Sequence, residues 1–155
     1  LVVGSPSSAT NWRAFLEAHS YVTRLLAAEL EHEKALPLTW YDVLVHLEEA
    51  DGHRLRMTEL AERVLLSKSG LTRLVDRMCD SRLVSRSADD RDRRGRWVGL
   101  EPAGIARLHD AAPVHMRGVE AHFASHLDAG EATALATILR RIATGACRPG
   151  HTGAH

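Results

Sequence analysis

Between Ser67 and Asp80 the apolar residues Leu71, Leu74, Val75 and Met78 recur at i, i+3, i+4 and i+7, with Ser69, Thr72, Arg73, Asp76 and Arg77 set among them. Only a helix gathers that pattern into one apolar face and one polar face. Ser67 has the side chain to cap such a helix. Just upstream, Thr58 opens a shorter helix whose inward positions are Leu60, Ala61 and Val64, and Leu65-Leu66-Ser67 leaves room only for a tight turn. The unit is a helix, a turn and a second helix with a polar outer face. It is too small to close a core alone, so the flanking segments must complete it.

Those segments read as more helix and one hairpin. From Asn11, the expected N-cap, to about Lys34, Trp12, Phe15, Leu16, His19, Val22, Leu25, Leu26 and Leu30 fall on one stripe of a long helix. After Pro37, Thr39 is expected to cap a helix that buries Val43, Leu44 and Leu47 and stops at Asp51-Gly52. Residues 83–87 and 96–100 read as two short strands around the charged loop Ala88-Asp89-Asp90-Arg91-Asp92-Arg93-Arg94-Gly95. Pro102 suits the first turn of a fifth helix, expected to bend at Pro113, and Asp128 with Glu131 forms a capping box for a sixth. The fold class expected is mainly α with a small β-hairpin (α+β).

At 155 residues, the length is that of one ordinary domain, and a 45% hydrophobic composition is enough for a core. No apolar run is long enough to span a bilayer, and no convincing signal peptide is present, so no membrane partner is expected. Cys79 and Cys147 fit neither a disulfide framework nor a zinc motif, which points to a reducing, cytoplasmic setting. There is no Gly-x-Ser-x-Gly, no glycine-rich phosphate loop and no recognisable carboxylate pair, so an enzyme is not expected, nor is a cofactor.

The net charge of zero conceals a polarity along the chain. From Asn11 to Glu62 there are ten acids against five bases, whereas from Lys68 to Trp97 there are nine bases against five acids. The basic segment contains the polar face of the second helix and the arginine-rich loop. Hydroxyls and a guanidinium on such a face suit base edges and phosphates in the major groove, and arginines on a loop suit the adjacent minor groove. The candidate DNA contacts are Ser67, Lys68, Ser69, Thr72, Arg73, Arg77, Arg91, Asp92, Arg93 and Arg94.

Leu71-Thr72-Arg73-Leu74-Val75-Asp76-Arg77-Met78, then Leu83-Val84-Ser85-Arg86, then Asp92-Arg93-Arg94, then Leu100-Glu101-Pro102-Ala103-Gly104, resemble, in order and spacing, the MarR family of winged helix-turn-helix regulators. The likeness runs from about Asn11 to Ala146. It implies that Thr72 and Arg73 approach bases and that Arg93 or Arg94 enters the minor groove, oriented by Asp92. Two departures stand out. Arg82 occupies the place of a helix-ending glycine, so that end is expected to do without a left-handed residue or to use Arg82 on a phosphate, and Glu101 replaces the usual Ser or Thr cap.

The resemblance further implies a homodimer on a near-palindromic operator. Residues 11–36 and 102–147 would form its helical dimerisation region and 37–101 the winged helix-turn-helix, with flexible tails at 1–10 and 148–155. It implies a repressor released by a small-molecule effector such as a small aromatic acid. Trp12, Phe15, His19, Trp40 and Tyr41, with Arg86 as carboxylate partner, are the candidate pocket, although aromatic residues at helical spacing are more often core. One alternative is redox sensing through Cys79 or Cys147, with Arg77 or Arg82 activating Cys79. Another is a helical protein that binds a metal or ligand and no DNA, using pairs such as His122 and His126. Neither cysteine nor histidine pair forms a complete site by sequence alone.

Overall fold

The computed structural model describes residues 7–64, 66–88 and 96–145. Helix α1 runs over Ser8–Lys34, capped by the Ser7 hydroxyl, which accepts the Thr10 N–H at 3.2 Å. Asn11 therefore lies inside the helix, and the expected tail of residues 1–10 loses its last three to α1. At the other end Ala35 turns left-handed (φ 46°), and the Arg107 guanidinium donates to the carbonyls of Lys34 and Ala35. A cation there meets the negative end of the helix dipole and satisfies carbonyls that have no helical partner.

Helix α2, Leu38–Glu48, starts straight after Pro37 without a side-chain cap, so Thr39 sits within it rather than before it. It buries Tyr41, Val43, Leu44 and Leu47. A 3-10 turn at Asp51–His53, with Gly52 at φ 65°, leads into strand β1, Arg54–Arg56. That strand was not expected: a single buried residue, Leu55, between two arginines carries no readable alternation. Helix α3, Met57–Arg63, begins one residue before Thr58, and the Glu59 carboxylate accepts the Arg56 N–H at 3.1 Å.

Helix α4 spans Lys68–Asp80, and Ser67 caps it by accepting the Gly70 N–H at 3.2 Å. Its end corrects an expectation. Arg82 itself adopts the left-handed conformation (φ 58°), with its N–H on the Cys79 carbonyl at 2.8 Å and the Leu83 N–H on that of Met78 at 3.0 Å. These two bonds form a Schellman closure, completed by the buried Met78 and Leu83 side chains. A Cβ in that conformation costs about 1–2 kcal/mol. Arg82→Gly is therefore expected to stabilise the fold by roughly 0.5–1 kcal/mol after the extra unfolded-chain entropy of glycine. Thermal unfolding checks this through a melting temperature a few degrees higher.

Strands β2, Val84–Ala88, and β3, Arg96–Leu100, pair antiparallel as the expected hairpin, with Val84 opposite Leu100 and Ser87 opposite Trp97. β1 joins the far side of β3, giving the order β1-β3-β2. One sheet face supplies Leu55, Val84 and Val98 to the core shared with Leu30, Leu44, Leu47, Leu60, Leu71, Val75 and Met78. Helix α5, Pro102–His122, continues through Pro113 as one element, as expected. Its start, Glu101, has no side-chain cap bond, as its replacement of Ser or Thr implied.

α5 is stitched to α1 and α2 by the ion pairs Arg117 with Glu33 (2.6 Å) and Lys34 with Asp110 (2.7 Å), and by contacts of the His122 and His109 rings with the Glu29 (2.6 Å) and Glu48 (2.5 Å) carboxylates. Gly118 lets the helices approach, since a Cβ there would lie 2.7 Å from Leu26 Cδ2 and against the Glu29 carboxylate. Helix α6, Ala129–Ala143, begins at the expected capping box, in which Asp128 accepts the Glu131 N–H and Glu131 accepts the Asp128 N–H, both at 2.9 Å. None of its residues is buried.

Candidate nucleic-acid interface

The two faces of α4 separate as its sequence requires. Leu71, Leu74, Val75 and Met78 are buried, while Ser69, Thr72, Arg73, Asp76 and Arg77 are exposed, and Ser67 is exposed at the cap. Lys68 is the first residue of the helix. Arg73 and Arg77 form no ion pair among the described residues, so both charges face outward uncompensated. Asp76 does not cancel them. Its carboxylate takes the Arg86 guanidinium at 2.6 Å, and the same guanidinium donates to the Thr72 carbonyl at 3.0 Å.

Arg86 is thus a brace that fixes β2 to α4. It is not the free carboxylate partner that the sequence suggests, because nothing in a strand pattern says which helix residue a side chain will meet. The expected wing contacts Arg91, Asp92, Arg93 and Arg94 lie outside the described residues.

The expected effector residues do not meet in one protomer. Trp12 and Phe15 stack at 5.8 Å and Phe15 touches His19 at 6.3 Å, all on the exposed N-terminal half of α1. Tyr41 is buried, with its ring 4.4 Å from that of His115, and Trp40 packs against the core. Arg86 is committed to α4, as above.

His115 is the polar oddity of this region, because its buried Nδ1 has no hydrogen-bond partner among the described residues. Burial pushes its pKa down, opposed by Asp42, whose own carboxyl is pushed up by burial and pulled down by His115 and His46. A histidine depressed in the fold contributes fully above its unfolded value, about 6.5, and its contribution is lost as pH falls through the window below. His115→Phe is therefore expected to lose less stability than the parent between about pH 6.5 and 5. Melting temperatures of the two proteins across that range check it.

Cys79 is half-buried against the core. Burial pushes its thiol pKa up, the Arg86 charge opposes this, and Asp76, Asp80 and Glu101 add to it. The influential cation is Arg86 rather than the expected Arg77 or Arg82, and it does not activate the thiol. Cys147 lies outside the described residues. His122 is engaged by Glu29 at 2.6 Å, and no cluster of three metal-ligating side chains occurs among the described residues. No helix is long and apolar enough to cross a membrane among them.

A helix-turn-helix built from α3 and α4, followed by a braced β-hairpin on a three-stranded sheet, defines a winged helix-turn-helix. Comparison with known proteins agrees. Residues 36–95 match the model of the MarR family. The structure resembles AbsC, a MarR family transcriptional regulator from Streptomyces coelicolor, at 32% identity and a TM-score of 0.80 over 91% of this chain and 96% of that one. It also resembles Sco3205, a MarR family transcriptional regulator from the same organism solved in complex with DNA, at 29% identity and a TM-score of 0.81 over 91% of this chain and 89% of that one. A further relative is the HTH-type transcriptional repressor YetL of Bacillus subtilis (strain 168), 33% identical over 88 residues. That match spans 57% of this chain and about half, 53%, of the repressor. The chain belongs to the MarR family of transcriptional regulators.

Proposed function

We propose that this chain is a repressor that binds a near-palindromic DNA operator as a homodimer and is released by a small-molecule effector such as a small aromatic acid. The observation that carries the reading is the exposed polar face of α4, with Arg73 and Arg77 uncompensated and Arg86 holding the wing strand beside it. In this reading Ser67, Lys68, Ser69, Thr72, Arg73 and Arg77 meet the major groove, and Arg91, Arg93 and Arg94, with Asp92 orienting them, meet the minor groove. Residues 37–101 are the DNA-binding region, and 11–36 with 102–147 the dimerisation region. YetL, named a repressor, supports repression over activation, and Sco3205 supports DNA as the partner.

Selection of bound fragments from random duplex DNA tests the proposal. It predicts one enriched, near-palindromic sequence whose affinity falls steeply with salt, since phosphate contacts release counterions. Arg73→Ala is expected to weaken that complex by about 1–3 kcal/mol, roughly ten- to a hundredfold, while the melting temperature stays with the parent. A pool without enrichment and an affinity insensitive to salt would contradict it. Adding aromatic acids to the complex tests release.

A further inference from the structure

Where α2 meets α5, one ionisable side chain has a buried polar atom left over. The His115 ring on α5 lies 4.4 Å from that of buried Tyr41, and its Nδ1 has no hydrogen-bond partner among the described residues. Asp42, next along α2, is close enough to act on the ring electrostatically yet gives Nδ1 no hydrogen bond. His46, one turn further along α2, acts on the same carboxylate. The other charged groups around this stretch of α5 are engaged elsewhere. On α1, Glu29 meets His122, Glu33 meets Arg117 and Lys34 meets Asp110, while Glu48 at the end of α2 meets His109. Arg107 holds the carbonyls of Lys34 and Ala35, and the turn Ala124–His126 beyond α5 has His126 as its titratable side chain. Asp42 is therefore the acid within reach of a charged His115.

We propose that His115 is a proton-operated latch between α2 and α5: neutral, it seats α2 in the arrangement that grips DNA, and protonated, it leaves Tyr41 for Asp42 and loosens that grip. The proposal rests on the DNA-binding reading above. A neutral ring leaves one acceptor unpaired in the Tyr41 contact, whereas protonation puts a charged N–H there with nothing to receive it. The proton thus favours a displacement of the ring toward the Asp42 carboxylate. The backbone permits it, because Pro113 has no N–H for the His109 carbonyl and the α5 ladder lacks a bond just before His115. α2 passes the displacement on. It packs on α5 on one side and on α3, β1 and β3 on the other, with Val43, Leu44 and Leu47 in the core shared with α4. A close-packed core does not absorb the shift locally, so α3, α4 and the sheet move with α2 relative to α1 and α5. By linkage, a proton that weakens DNA binding is itself released when DNA binds.

The test measures affinity for the selected operator from about pH 7 to about pH 5, at fixed salt, together with the ring NMR signals of His115, assigned by their loss in His115→Phe. Parent affinity is expected to fall on the order of tenfold across that window, with its midpoint where the ring titrates. His115→Phe, which keeps an aromatic ring against Tyr41, is expected to lose most of that fall and to match the parent at the upper end. Asp42→Asn removes the acid that receives the charged ring. It is expected to move both the fall in affinity and the ring titration to lower pH, and it keeps the test open if His115→Phe melts early. The same pH dependence in parent and His115→Phe, or a ring that titrates while affinity stays constant, would overturn the proposal and leave the DNA-binding reading standing. A parent that bound no duplex at any pH would contradict that reading as well.

Discussion

Gly104→Ala is expected to lower the stability of this protein by about 2–3 kcal/mol, read as a lower urea midpoint with an unchanged slope. Gly104 is buried in the first turn of α5, and a Cβ there would collide with the Leu83 carbonyl oxygen and lie 2.8 Å from Leu100 Cδ1. The first obstacle is backbone and cannot swing aside. The Leu83 carbonyl is also tied, accepting the Glu101 N–H at 3.0 Å, while the Leu83 N–H closes α4 on Met78. One residue thus joins the end of α4, the start of the wing and the entry to α5, and a displaced α5 disturbs all three. Gly99→Ala is the control. Its Cβ would meet only Ser85 Oγ at 3.6 Å, so a change within about 0.5 kcal/mol is expected. A Gly104→Ala protein as stable as the parent would show that the close approach has no energetic role.

In the proposed homodimer, Leu16→Glu combined with Ile142→Glu is expected to give a monomer, seen by light scattering as the mass of one chain instead of two. The N-terminal half of α1 and the outer side of α6 present apolar side chains to solvent, with Trp12 61% and Ile142 69% exposed in the isolated protomer. Phe15, Leu16 and Tyr21 on α1 and Ile138 on α6 are exposed as well. Covering each of these is worth about 1.5–3 kcal/mol, so the pair of charges, repeated by symmetry, removes a large part of what a second copy would gain. Operator affinity should fall with it by on the order of a hundredfold or more, because one helix-turn-helix then holds one half-site without the linked second contact. A double variant that stayed dimeric would place the interface elsewhere.

Helix α4 was legible because four buried positions and one serine cap determine it locally, and both proved to be where the spacing put them. The hairpin and the Asp128 capping box were legible for the same reason. What escaped were features decided by distant partners. β1 exists because β3 pairs with it, with Leu55 against Val98, and three residues alone cannot announce a strand. Arg82 reads as an obstacle to the helix end, yet two backbone bonds and the Met78 and Leu83 burial outweigh the cost of its left-handed backbone. Arg86 reads as a free cation until Asp76 and the Thr72 carbonyl appear beside it. The α1 stripe shows a different limit. Its pattern is continuous, but only Leu26 and Leu30 are buried within the protomer, and periodicity does not say whether the remaining apolar face meets this chain or another.

Hydroxyl-radical footprinting of the selected operator tests most directly the idea that two α4 helices and their wings meet one duplex from a symmetric pair. The account predicts two equivalent protected regions related by the operator dyad, their centres about one helical turn (~10 bp) apart, each flanked by protection where a wing crosses the minor groove. A single protected half-site, or protection that ignores the dyad, would contradict it.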